Sequence, residues 1–136
     1  MAMLLISLPM AGQAQEALLE NLYSQVFELY DQGRYSEAAG IARTALKVTE
    51  DTFGEEDPNV AISLNNLAYL YDCQGNHAQS GPLYRRALTI LEKGLGPDNF
   101  RVGLVLSNMA ERCRKMGKKD EADRLKARVE KIRANR

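Results

Sequence analysis

Tryptophan is absent from this 136-residue chain, histidine occurs once and cysteine twice. These shortages close off whole classes of chemistry. His77, Cys73 and Cys113 are too few, and lack the ligand spacing, for a structural zinc site or a Cys–His nucleophile. No carboxylate series has EF-hand spacing and no lysine follows a glycine loop, so neither metal nor cofactor is expected. Paired carboxylates with a plausible pocket are missing too, and with them the case for an enzyme. An excess of one charge is also lacking. Eighteen acidic residues balance eighteen basic ones, which gives no overall bias towards nucleic acid or a membrane surface. The apolar run in Met1–Ala14 is far short of the roughly 20 residues a membrane-spanning helix needs.

What is present is helical pattern and repetition. With 45% hydrophobic and 26% charged residues and nine aromatics, the composition suits a soluble domain built from helices packed through leucine and alanine. Ala61–Glu92 reads as two amphipathic helices joined at Gly75. Ile62, Leu64, Leu67, Ala68, Leu70 and Tyr71 recur at helical spacing in the first, and Leu83, Tyr84, Ala87, Leu88 and Leu91 in the second. The stretch has copies at a shift of 42 residues in both directions. Gly75 falls on Gly33 and Gly117, Leu64 on Leu22 and Leu106, and Ile90 on Val48 and Ile132. A fixed period over three copies indicates a helical repeat array.

The spacing Leu64-x2-Leu67-Ala68-x2-Tyr71-x3-Gly75, followed by Tyr84-x2-Ala87, resembles the tetratricopeptide repeat (TPR). The 42-residue period, with LNNLAYLY, LYRRALTILEK and LGPD, is similar to the longer kinesin-light-chain-type version, covering about residues 16–134. Departures occur at Ser80, where an alanine is usual, at Gln25 against Leu67 and Met109, and at Lys126 in the place of Tyr84. The resemblance implies an all-α, right-handed superhelical solenoid of three helix-turn-helix repeats, six antiparallel helices in all. It also implies a non-enzymatic protein-binding scaffold, and it specifies fold far better than ligand.

On this reading residues 1–14 are an apolar N-terminal segment and 15–136 one domain, with repeats over about 15–57, 58–98 and 99–136. Helices are expected near 15–32, 35–50, 58–74, 77–93, 99–116 and 119–134. The first should bury Leu18, Leu22, Val26 and Leu29, with Ser36 capping the second. Asp57-Pro58 and Gly96-Pro97-Asp98-Asn99 are start signals for the next repeats. The last helix has a narrow apolar seam of Ala122, Leu125, Val129 and Ile132 among charged faces. Lys126 and Glu130 stand where earlier repeats carry apolar residues, so this helix is expected to act as the polar cap of the array.

Met1–Ala14, with small residues at Gly12 and Ala14, has the look of the end of a secretory signal, although it lacks lysine and arginine and is short. Export is the favoured expectation. The alternative is a loosely docked tail on a cytoplasmic protein. Cys113 aligns with core Tyr71, which favours free thiols over a disulfide between neighbouring first helices. Charge is unevenly spread: residues 1–60 hold ten acidic and three basic side chains, and residues 101–136 five acidic and twelve basic. Either the helices solvate themselves with whichever charge is at hand, or the array has an electrical polarity that favours head-to-tail contact or an acidic partner.

The copied spacing turns one set of first-helix positions inward, towards a groove. Tyr23, Phe27 and Tyr30 belong to it in the first repeat, Asn65, Asn66, Tyr69 and Asp72 in the second, and Asn108, Arg114 and Lys115 in the third. Asparagine is a poor helix-interior residue, so its presence at 66 and 108 needs a reason. In the resembled family such amides hold the backbone of an extended peptide; the alternative is that they brace the neighbouring helix. The aromatics would supply apolar contact with polar tips, and Arg114 and Lys115 a preference for carboxylates. The expected function is protein or peptide binding in this groove, the partner unidentified. The alternative is a structural unit that self-associates head to tail through its repeat ends.

Overall fold

Leucine and alanine recurring at helical spacing produce six helices in the computed structural model, which describes residues 12–135. They are α1 (Gln13–Asp31), α2 (Tyr35–Phe53), α3 (Pro58–Cys73), α4 (His77–Leu95), α5 (Phe100–Lys115) and α6 (Lys119–Ala134). Among the described residues all regular structure is helical, and no helix is long and apolar enough to cross a membrane. Most of the expected signal segment, residues 1–11, lies outside the described residues.

Within each repeat the turn is made by one device. Gly75 has φ +76°, a conformation that glycine adopts without strain. It lets Gly75 N–H donate to Asp72 O at 2.9 Å and Asn76 N–H to Tyr71 O at 2.8 Å, which satisfies the last carbonyls of α3. The same long bond recurs from Arg34 N–H to Leu29 O and from Lys118 N–H to Cys113 O. Because the chain re-enters a helix immediately, α2, α4 and α6 start at Arg34, Asn76 and Lys118 with no side-chain cap. Ser36 is therefore not the cap that its residue type suggests: it lies inside the first turn of α2. Between repeats the signals work as expected. Asp57 and Asn99 accept from the N–H of Asn59 and Arg101 at 2.8 and 2.9 Å, and Pro58 takes the first helical position.

The repeats share their core. Val26, Ala38 and Ala42 of the first pair pack with Leu67 and Leu70 of α3. Val60, Leu64, Ala87 and Leu91 of the second pack with Val102, Leu106, Val129 and Ile132 of the third. In α6 the seam of Ala122, Val129 and Ile132 is buried, while Lys126 and Glu130 are exposed. Leu18 departs from expectation. It is 46% exposed, whereas its copies Val60 and Val102 are fully buried, because no described helix lies in front of α1 to cover it. Leu19 and Tyr23 fill the first core in its place.

Candidate functional site

The first helices of the three repeats form one layer, and polar side chains tie them together. Tyr23 OH of α1 meets Ser63 Oγ of α3, and Ser63 Oγ donates to Thr49 Oγ1 at 3.3 Å. Burial pushes the Tyr23 phenol up to about 12. Tyr30 OH and Tyr69 OH lie 2.9 Å apart, with ring centroids at 5.7 Å. On the other side of α3, Asn108 Nδ2 donates to Asn65 Oδ1 at 3.0 Å.

These bonds redistribute the candidate groove residues. Tyr23, Asn65 and Asn66 are buried at 3%, 0% and 0% exposure, and Asn108 at 9%. These four of the inward-facing positions are shut off from solvent. Asn65 and Asn108 join α3 to α5 through their side-chain amides. Phe27, Tyr30 and Tyr69 are half-buried and gather around α1 and α3, with the Phe27 ring 6.5 Å from Tyr23 and the Tyr35 ring 5.7 Å from Tyr30. Arg114 and Lys115 are exposed at the C-terminal end of α5, apart from the aromatics, and Arg114 donates twice to Glu111.

Asp72 moves furthest from its expected role. It is 8% exposed and accepts from Ser80 Oγ, from Tyr84 OH at 2.8 Å and from the His77 ring at 2.8 Å. Arg112 closes the cluster from α5, donating to His77 O through Nε and Nη2 and to Ser80 Oγ at 3.0 Å. Burial raises the Tyr84 phenol, and the Asp72 carboxylate beside it adds to the shift. Serine, histidine and aspartate meet here without forming a nucleophile: Ser80 Oγ donates to Asp72, not to the imidazole, and is fully buried. The cluster is a clasp between the second and third repeats. Its signal in the sequence was the departure at Ser80 together with the neighbouring glycine. A Cβ on Gly81 would come within 2.8 Å of Arg112 Nη2, so both small residues make room for the guanidinium.

A second missed feature is an ion-pair ladder along the other layer. Arg86 of α4 meets Glu50 of α2 at 2.9 Å, and Arg128 of α6 meets Glu92 of α4 at 2.6 Å. Both pairs obey the 42-residue shift, and that coincidence was readable. Cys73 and Cys113 are free thiols, each held protonated by burial. Among the described residues no group of three or more histidine, cysteine, aspartate or glutamate side chains could hold a metal ion.

Comparison with known proteins follows the same lines. The family model described as tetratricopeptide repeat matches twice, over residues 27–93 and 73–135. No curated protein sequence matches. Among solved structures, BtubC (BKLC) from P. vanneervenii superposes with a TM-score of 0.82 at 25% identity, over 92% of this chain and 49% of that one. The chain thus spans about half the length of that protein. Helix pairs that recur every 42 residues, break at the same glycine and stack through shared layers make this chain a member of the tetratricopeptide repeat family.

Proposed function

We propose that the protein is a non-enzymatic interaction scaffold that holds an extended peptide or a partner protein along α1, α3 and α5. The tetratricopeptide fold is a scaffold for protein–protein contact, and its stacked first helices offer a surface longer than any one repeat. The observation that carries the reading is the half-buried aromatic patch of Phe27, Tyr30 and Tyr69, shared by two repeats. Aromatic rings with polar tips supply contact area at low entropic cost, the mixture enriched in interface cores. Arg114 and Lys115 add cationic groups towards the third repeat, which favours a carboxylate-bearing ligand. Asn65 and Asn108 serve as the frame that fixes α3 against α5.

Peptides selected from a random displayed library on the 136-residue chain test this reading. Those that bind should carry acidic residues and lose roughly tenfold or more in affinity, about 1.4 kcal/mol, on Tyr69→Ala or on Arg114→Glu with Lys115→Glu. Peptides indifferent to all three substitutions would remove the proposal. The double change Asn66→Ala, Asn108→Ala separates frame from ligand contact: a lower Tm with unchanged affinity assigns these amides to the frame.

A further inference from the structure

The faces at the two ends of the array match one another. On the C-terminal side α5 and α6 enclose a groove of about 530 Å³ with Ala110, Ala122 and Val129 in its wall. In the second repeat the corresponding groove, between α3 and α4, is filled by α5. Its rim carries Arg114, Lys119, Lys126 and Arg133 against Glu111, Asp123 and Glu130; Arg114 pairs with Glu111, Lys119 with Asp123 and Arg133 with Glu130, so Lys126 supplies the surplus cation. On the N-terminal side α1 contains four acidic residues and no basic one. Leu18 lies exposed there, although both of its copies are fully buried by a preceding repeat.

The register of the repeats says which residues would meet. Arg112 of α5 reaches back to His77 O at the start of α4. One period earlier than Arg112 stands Leu70, and two periods earlier Glu28; one period after His77 stands Lys119. Likewise Met109 packs into the cluster that holds Tyr84, and Gln25 and Lys126 occupy their places on the two end faces. Across such a joint the Glu28 carboxylate would come beside Lys119, which now pairs with Asp123, and the Gln25 amide beside the Lys126 ammonium.

We propose that the α5–α6 groove of one copy receives α1 of a second copy, which continues the 42-residue stack head to tail. Glu28 of the incoming helix then lies over Lys119, Gln25 over Lys126, and Leu18 is covered. Such a contact uses different surfaces on the two copies, so it builds chains longer than a dimer. It leaves the aromatic patch uncovered and shares only Arg114 with the peptide surface, so changes at Glu28 and Lys119 probe association apart from peptide binding. Being rich in charge, it should weaken with salt, in contrast to apolar aggregation.

Sedimentation velocity of the 136-residue chain decides the matter, run over a range of concentrations at about 0.01 M and about 1 M sodium chloride, where the Debye length falls from roughly 30 Å to 3 Å. The expected result is a mass that rises beyond dimer with concentration at low salt and returns to monomer at high salt. Glu28→Lys alone and Lys119→Glu alone should each weaken association by up to about fivefold, and the combined swap should restore it. Both residues are exposed, and a glutamate in the first turn of α6 suits the helix dipole, so the variants should fold. A monomer at every concentration in low salt, association that salt does not weaken, or a swap that fails to restore it would each overturn the proposal.

Discussion

Arg112 shows how much one side chain can decide. Its guanidinium bridges His77 O and Ser80 Oγ, and through Ser80 it leans on the carboxylate of Asp72. Hydrogen bonds to charged groups contribute about 1.5–3 kcal/mol each, and removing one partner leaves the others buried and short of a bond. Arg112→Ala should therefore cost about 2 kcal/mol or more in urea denaturation. Arg112→Lys should recover little, since an ammonium cannot reproduce the planar fork. Full rescue by lysine would show that charge alone is what the site needs. Tyr23 makes a prediction in pH. Its folded pKa of about 12 lies above the ordinary value near 10, so the unfolded chain loses this proton first as pH rises. The stability it confers is complete below pH 10 and fades as pH climbs towards 12, by about 2–3 kcal/mol for this group. Denaturation midpoints across that range should fall less steeply in Tyr23→Phe than in the wild type. The clasp was half legible: Ser80 stood out against alanine, but nothing in the sequence placed Arg112 over Gly81, since those residues are 31 positions apart and belong to different repeats.

At the scale of the helix, α6 tests whether polarity and burial were correctly assigned from its pattern. Val129 is 5% exposed and packs in the shared core, while Lys126, less than one turn away, is exposed. Val129→Ala removes two carbons from a packed site and should cost about 1–2.5 kcal/mol in thermal or chemical denaturation. Lys126→Ala should change stability by less than about 0.5 kcal/mol. Equal effects would mean that the seam lies elsewhere on the helix. Helix starts between repeats were readable because Asp57 and Asn99 carry their own cap chemistry. The starts within repeats were misread at Ser36, where the glycine turn hands the chain straight into the next helix and leaves no vacancy for a side-chain cap.

At the scale of the molecule, stability is shared between neighbours, and each repeat covers the face of the one before it. Removing α5 and α6 would bare Tyr84, Ala87 and Leu91, which are now buried. A chain ending at residue 98 should thus self-associate, and light scattering should show a mass well above monomer that high salt does not reduce. A monodisperse monomer would mean that the second repeat needs no cover. By itself the sequence determined the helices, their breaks and their period. Each depends on local chemistry: apolar spacing of 3.6, a glycine able to take positive φ, and an aspartate or asparagine beside the first turn. It also determined the family, because 42-residue spacing survives any reading of the side chains. Only the tertiary structure decided which inward positions stay accessible. Tyr23, Asn65 and Asn66 sit on the same helices as Tyr30 and Tyr69 and follow the same pattern, yet the first three are buried and the last two are not. The inward face of a helix is divided between buried and accessible positions by how closely its neighbours approach. That distance is set by packing between residues some 40 positions apart, which no local pattern encodes.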